Sequence, residues 1–188
     1  MSWIHEVSEA DADADAALQP IYAAILQQRG KVAHILSVQS LDPPALQHHL
    51  DLYMALMFAS GPLSRREREA IAVTVSAANG CAYCVAHHLE PLRRYEKDPA
   101  VLDAIRDAPD TLTDLRLRAM LLYARMLTTQ PSAMRQVHVQ ALRDAGLDDA
   151  QILRVGEITA YFNFVNRLAL GLGVQVDGED VAGYREPA

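Results

Sequence analysis

The sequence predicts an all-α protein, a multi-helix bundle, on three observations. Hydrophobic residues make up 51% of the 188 residues and are rich in Ala and Leu, with only nine glycines and nine prolines. Apolar residues recur at helical spacing in one segment after another, between capping and stop residues. A last long segment, Asp148 to Gly171, is apolar over so much of its circumference that it must be buried, in the core or against another subunit. The length is that of one domain of ordinary size, with enough chain to bury a core. Residues 1–16 read as an acidic, polar lead-in, in which Trp3 is the one residue able to pin it down. Residues 17–188 read as a single helical domain.

In chain order, a first helix runs from about Ala17 to Gln28 and stops at Gly30, and a short one follows from Val32 to Val38. Pro43 and Pro44 open the next helix, where a missing N–H does no harm. It turns Leu46, Leu50, Tyr53, Met54 and Met57 inward and ends before Gly61 and Pro62. Ser64 can N-cap the helix after it, with Glu67 completing a capping box. Ile71, Val75 and Ala78 keep helical spacing, and Asn79-Gly80 is the stop signal. A cysteine-bearing helix comes next, which Pro91 is expected to shorten or kink. The second half predicts helices at Pro99 to Asp107, Thr113 to Thr128, Pro131 to Ala145 and Asp148 to Gly171. Leu63, Ser64 and Asn79 match Leu147, Asp148 and Asn163 at a constant offset of 84. This suggests a duplicated helical hairpin, with one copy bearing the thiols. Asn163, Asn166 and Arg167 stand as polar groups inside the last helix.

Composition excludes several functions. A net charge of −7 and a pI near 5.4 argue against nucleic acid and anionic membranes as partners. No apolar run approaches the roughly 18 residues needed to span a bilayer. The first residues lack a basic and then apolar signal pattern, which points to a cytoplasmic protein. Two cysteines spaced Cys-x-x-Cys in a reducing compartment read as redox chemistry.

The chemistry concentrates between Ser64 and Tyr95. Cys81 and Cys84 stand at the opening of a helix, where free N–H groups and the helix dipole favour an anion. A thiol there falls from a pKa of roughly 8.5 to somewhere between about 3.5 and 7.5. Cys81 and Cys84 share a face, as do Cys84 and His88, and His88 is one turn from a thiol whose proton it can accept. His87 is rotated away and reads as a surface or packing residue. Structural zinc is disfavoured, because the four ligands would have to come from eight residues of one helix. By helical pattern alone, Glu69 reads as a solvated residue among its charged neighbours.

The spacing Glu-x11-Cys-x-x-Cys-x3-His, here Glu69, Cys81, Cys84 and His88, resembles the active-site pattern of alkylhydroperoxidase D. That is an all-helical thiol peroxidase of the carboxymuconolactone decarboxylase superfamily. The stretches REREAIAVTVSAANGCAYC and YFNFVNRLALGLGV are similar to its peroxidase-related branch, and the likeness covers about residues 20 to 176. One departure is Tyr83, where better-studied members carry histidine. The resemblance implies a bundle of about eight helices, a homo-oligomer (dimer, trimer or hexamer) and thiol-dependent reduction of a hydroperoxide. It implies no prosthetic group or metal, and an external dithiol as reductant. It makes Glu69 an end of a proton relay. His88 spacing then favours Cys84 toward peroxide, with Cys81 as resolving and exchange thiol. Thioredoxin-type reasoning instead makes the first, more exposed cysteine the nucleophile toward disulfides. A general disulfide reductase would use the same pair, whereas a lyase or binding protein on this scaffold would not need it.

Overall fold

The computed structural model describes residues 2–12, 15–176, 181 and 183–185. Among these it is all-helical, with ten α-helices and two single 3-10 turns. They are α1 (Glu9–Ala12), α2 (Gln19–Arg29), α3 (His34–Ser37), α4 (Pro43–Met57), α5 (Arg65–Ala78), α6 (Ala82–Tyr95), α7 (Pro99–Asp107), α8 (Leu115–Thr129), α9 (Gln136–Asp144) and α10 (Asp149–Leu172).

The centre is α5, which packs against α4, α6, α7, α8 and α10. Its middle, from Arg68 to Ser76, is buried on every side. Polar residues of that stretch therefore need partners inside the protein. Arg68 donates to the carbonyls of Leu63, Leu56 and Ala59, which closes the C-terminal end of α4. Thr74 donates to the Ile105 carbonyl. The Ser64–Glu67 capping box is present in both directions, so the predicted start of α5 is the observed one.

Two apolar clusters fill the interior. The larger joins α5, α6, α8 and α10 around Ile71, Leu92, Met120 and Phe162. The smaller gathers α2, α3 and the first half of α4 around Leu18, Ile25 and Leu46. Ile35 packs against both, and the thiol-bearing turn lies on this seam.

Residues 2–12 are fastened at several points. The Trp3 N–H donates to the Leu172 carbonyl at 2.8 Å, Val7 N–H to Ser40 Oγ and Tyr22 O–H to the Val7 carbonyl. Gly173 ends α10 with φ 71°. A Cβ there would sit 2.3 Å from the Trp3 indole, so both conformation and contact require glycine.

Some expectations change. The segment from Pro131 to Ala145 is not one helix: Pro131–Ala133 forms a 3-10 turn, and α9 begins only at Gln136. Arg135 between them is extended, and its N–H is taken by His138 Nδ1. Pro91 neither ends nor shortens α6, which continues to Tyr95. The two capped openings match, since Asp148 and Gln151 also form a capping box. Asn79 caps α5, but Asn163 lies mid-helix. Gly80, with φ 70°, stops the first copy, and no equivalent glycine follows Asn163.

Candidate active site

The turn at Gly80 delivers Cys81 as the N-cap of α6, where its sulfur accepts the Cys84 N–H at 3.4 Å. Both cysteines are free thiols, 1% and 2% exposed. The first cysteine is thus not the more exposed of the two. Cys84, not Cys81, borders the cavity described below. The two sulfurs hydrogen-bond each other. This contact, with the Cys84 N–H, holds the Cys81 thiol below the ordinary cysteine range although burial opposes it. Cys84 is pushed far up, by giving its proton to Cys81, by burial and by the neighbouring negative charge. The first proton to leave the pair therefore leaves from Cys81.

Glu69 is fully buried on α5, not solvated. One oxygen pairs with Arg65 at 2.6 Å, one turn earlier on the same helix. The other lies 2.7 Å from His88 Nδ1 on α6. An ionised carboxylate only accepts, so Nδ1 carries the proton and Nε2 is the nitrogen left for the cavity, which His88 also borders. Phe162 meets the imidazole edge-on at 4.5 Å and fixes the ring plane. The four residues singled out in the sequence thus converge, and Arg65 joins them as a fifth.

Beneath the thiols, on the core side, Asn79 donates to the side-chain oxygens of Asn163 and Asn166 at 3.0 and 2.9 Å. Asn166 donates to Ser76 Oγ and its amide also lies against the Cys84 sulfur. Asn163 donates to Thr128 and to the Thr159 carbonyl. These asparagines are satisfied within the core and support the thiol turn from behind. Arg167 turns back to Asn163.

The cavity has a volume of about 160 Å³. Tyr83 forms part of its wall: its hydroxyl accepts the Ile35 N–H at 3.3 Å and its ring lies 4.2 Å from that of His87. His87 is accordingly a wall residue. Opposite stands a polar pair that the sequence reading did not pick out, His49 on α4 and Tyr161 on α10, joined at 2.7 Å. The amide nitrogen of Gln39 donates to the Ile35 carbonyl. Its oxygen then accepts from His49 Nδ1 at 3.0 Å, and His49 Nε2 accepts the Tyr161 hydroxyl proton. Burial lowers His49 to about 4, so it is neutral. Burial, with the nearby Tyr53 and Cys84, raises Tyr161 well above the usual tyrosine value. The readable signal was weak: a histidine at an inward position of the apolar Pro43 helix, and a tyrosine in the YFNF stretch. Among the described residues, no three His, Cys, Asp or Glu side chains are arranged to hold a metal ion.

Against known proteins, residues 43–126 match the model of the carboxymuconolactone decarboxylase family. The fold superposes on that of an uncharacterized peroxidase-related protein with an alkylhydroperoxidase AhpD core, from Ralstonia eutropha JMP134. Its TM-score is 0.82 at 30% identity, over 96% of this chain and 94% of that one. An uncharacterized peroxidase-related protein from Silicibacter sp. TM1040 gives a TM-score of 0.82 at 26% identity, over 98% and 96% of the two chains. Sestrin-1 of Xenopus laevis is 22% identical over 176 residues, 92% of this chain. The chain spans only 36% of that protein's length. The matched pattern, the all-helical fold and these likenesses agree: the chain belongs to the carboxymuconolactone decarboxylase family, in its alkylhydroperoxidase D-like, peroxidase-related branch.

Proposed function

We propose that the protein reduces hydroperoxides with the Cys81–Cys84 pair, without a prosthetic group, and is reset by an external dithiol. The observation that carries this is one arrangement. Two free thiols share a hydrogen bond, the second borders a cavity, and a carboxylate-oriented imidazole borders the same cavity.

Once Cys81 has lost its own proton to solvent, the proton of Cys84 passes along the S–H···S contact to the Cys81 thiolate, which leaves the negative charge on the sulfur that faces the cavity. That thiolate attacks a peroxide oxygen. The S–O bond forms, the O–O bond breaks, and the electron pair leaves on the alkoxide, which takes up a proton to become the alcohol. Cys81 gives up its proton and attacks the Cys84 sulfenic sulfur, expelling hydroxide, which becomes water. In sum, two thiols and one hydroperoxide give a disulfide, an alcohol and water. His88, held through Nδ1 by Glu69, is the group that passes protons on the cavity side. An incoming dithiol meets the disulfide at Cys84, because Cys81 has no cavity face. The same burial weighs against a general reductase of protein disulfides, which needs an accessible sulfur.

The test is intact mass and thiol titration before and after a stoichiometric hydroperoxide. Wild type is expected to lose two thiols and two mass units together. Cys81→Ser is expected to carry Cys84 on to sulfenic and then higher acids. Wild type that keeps both thiols in excess hydroperoxide would overturn the reading.

A further inference from the structure

The cavity wall opposite the thiols carries a buried polar pair where apolar side chains would serve stability as well. His49 and Tyr161 are each 6% exposed, and both border the cavity that Cys84 and His88 also border. Replacing both partners of a buried hydrogen bond by apolar groups of the same shape is close to neutral. Chemistry is therefore the better reason for the pair. Rings fix its position. Tyr161 stacks on Tyr53, with centroids 6.1 Å apart, and meets Phe162 edge-on at 5.1 Å. Phe162 in turn meets the His88 imidazole. It stands between the phenol and the imidazole, and both reach the same cavity.

The two groups differ in proton state. His88 gives its Nδ1 proton to Glu69, so its Nε2 meets the cavity as an acceptor. Breaking the O–O bond of a peroxide creates an alkoxide, which needs a donor. Gln39 allows Tyr161 to be that donor. The amide oxygen of Gln39 lies 3.0 Å from His49 Nδ1 and its nitrogen 2.8 Å. The first contact fits the tautomer in which Tyr161 donates to His49 Nε2. The second fits the other tautomer. There Nδ1 accepts from the amide, Nε2–H donates to the Tyr161 oxygen, and the phenolic hydrogen turns to the cavity. Burial holds His49 neutral, so neither form carries a charge, and burial also keeps the Tyr161 hydroxyl protonated.

We propose that Tyr161 is the proton donor to the alkoxide that leaves when Cys84 attacks a hydroperoxide, with His49 as the residue that positions it. This role rests on the hydroperoxidase reading. In the step, the Cys84 thiolate forms the S–O bond and the O–O electron pair leaves on the carbon-bound oxygen. The Tyr161 proton passes to that oxygen and gives the alcohol. The phenolate, held by His49 Nε2–H, then regains from solvent the proton that Cys81 first released, so the sum of the reaction is unchanged.

Leaving groups of different basicity separate this role from a structural one. Single-turnover oxidation of the thiol pair near neutral pH is followed with two oxidants. The alkoxide of tert-butyl hydroperoxide must be protonated, whereas the acetate of peracetic acid leaves without help. Wild type is expected to react with both. Tyr161→Phe is expected to lose about 10²-fold with tert-butyl hydroperoxide and less than about threefold with peracetic acid. His49→Gln is expected to lose about tenfold with the hydroperoxide, the worth of one positioning hydrogen bond, and little with the peracid. Far-ultraviolet circular dichroism checks that the variants are folded. A change in packing, or in the Cys84 thiolate, slows both oxidants alike, and an equal loss in Tyr161→Phe overturns the donor. If that variant does not fold, 3-fluorotyrosine at position 161 keeps the hydroxyl and makes it a stronger acid. It is expected to raise the hydroperoxide rate about twofold relative to the peracid rate, and an unchanged ratio overturns the donor. Wild type that reacts with neither oxidant overturns the hydroperoxidase reading itself, a result distinct from an equal loss in the variant.

Discussion

Glu69 shows how a residue can be placed by its surroundings against its local pattern. All five of its nearest upstream neighbours are charged or capping residues, yet the side chain is fully buried between Arg65 and His88. A buried carboxylate is tolerable only when paired, and removing one partner of such a group typically costs about 3–5 kcal/mol. Glu69→Gln is therefore expected to lower stability by roughly that amount, read by urea unfolding. It should also lower single-turnover peroxide reduction near neutral pH by about 10²-fold, and His88→Phe by about 10²- to 10⁴-fold. Because Glu69 acts by orienting His88, the double variant should be no slower than His88→Phe alone. Multiplying losses would mean that the carboxylate acts independently of the imidazole. In the sequence Cys81, Cys84 and His88 are legible from the Cys-x-x-Cys at a helix opening and the one-turn spacing, and Glu69 only through the family spacing. Arg65 carried a readable signal in its i, i+4 relation to Glu69. That signal was masked by three other charges in the same turn, whose partners, such as Glu96, Asp114 and Arg116, come from distant segments.

At the scale of elements, helix limits were legible wherever a cap or stop was chemically explicit. Ser64, Asp148, Pro43, Pro99 and Gly30 each stand at or beside an observed boundary. The start of α9 was hidden because Arg135 is no usual cap; His138 supplies the bond that a Glu or Gln would ordinarily make. Which helices touch was not legible, since the tie between α4 and α10 joins residues 112 positions apart, His49 and Tyr161. That tie predicts a pH dependence. Burial holds His49 neutral, at about 4 against an ordinary 6.5. Between those values the unfolded chain binds a proton that the folded one refuses. The stabilisation is complete above about 6.5 and is lost as pH falls toward 4, by up to about 3 kcal/mol. Unfolding midpoints at pH 7 and 4.5 check this. His49→Gln, which keeps hydrogen-bonding capacity without titrating, should flatten the slope. A slope unchanged in that variant would show that other groups control acid stability.

The whole molecule places its thiols on the seam between two apolar clusters, which explains why the sequence singled out the thiols but not the cavity beside them. One wall comes from α3 and α4 of the smaller cluster, the other from α6 and α10 of the larger. Among the described residues no helix is long and apolar enough to cross a membrane. The sequence reads α10 as buried in the core or against another subunit, and much of it is covered within the chain. Nine of its residues, from Ile152 to Ala169, are buried within the monomer. What is left outside is specific. Leu153 is 62% exposed and Phe164 48%, and eleven residues apart they lie within about 20° of each other on an ideal helix. Leu52 on α4 is exposed as well, and Phe164 reaches the His49 ring on that helix. At the far end of α10, Leu170 and Trp3 are also exposed, Trp3 being anchored at Leu172. Apolar groups spread along one helix in this way predict a self-associating face, which for a stable pair would bury on the order of 800 Å² per partner. Light scattering at micromolar concentration is expected to give a dimer or larger species. Leu153→Glu with Phe164→Glu should shift it toward the monomer while leaving helix content unchanged. A 20.7 kDa species from the wild-type chain would show that these side chains stay in water.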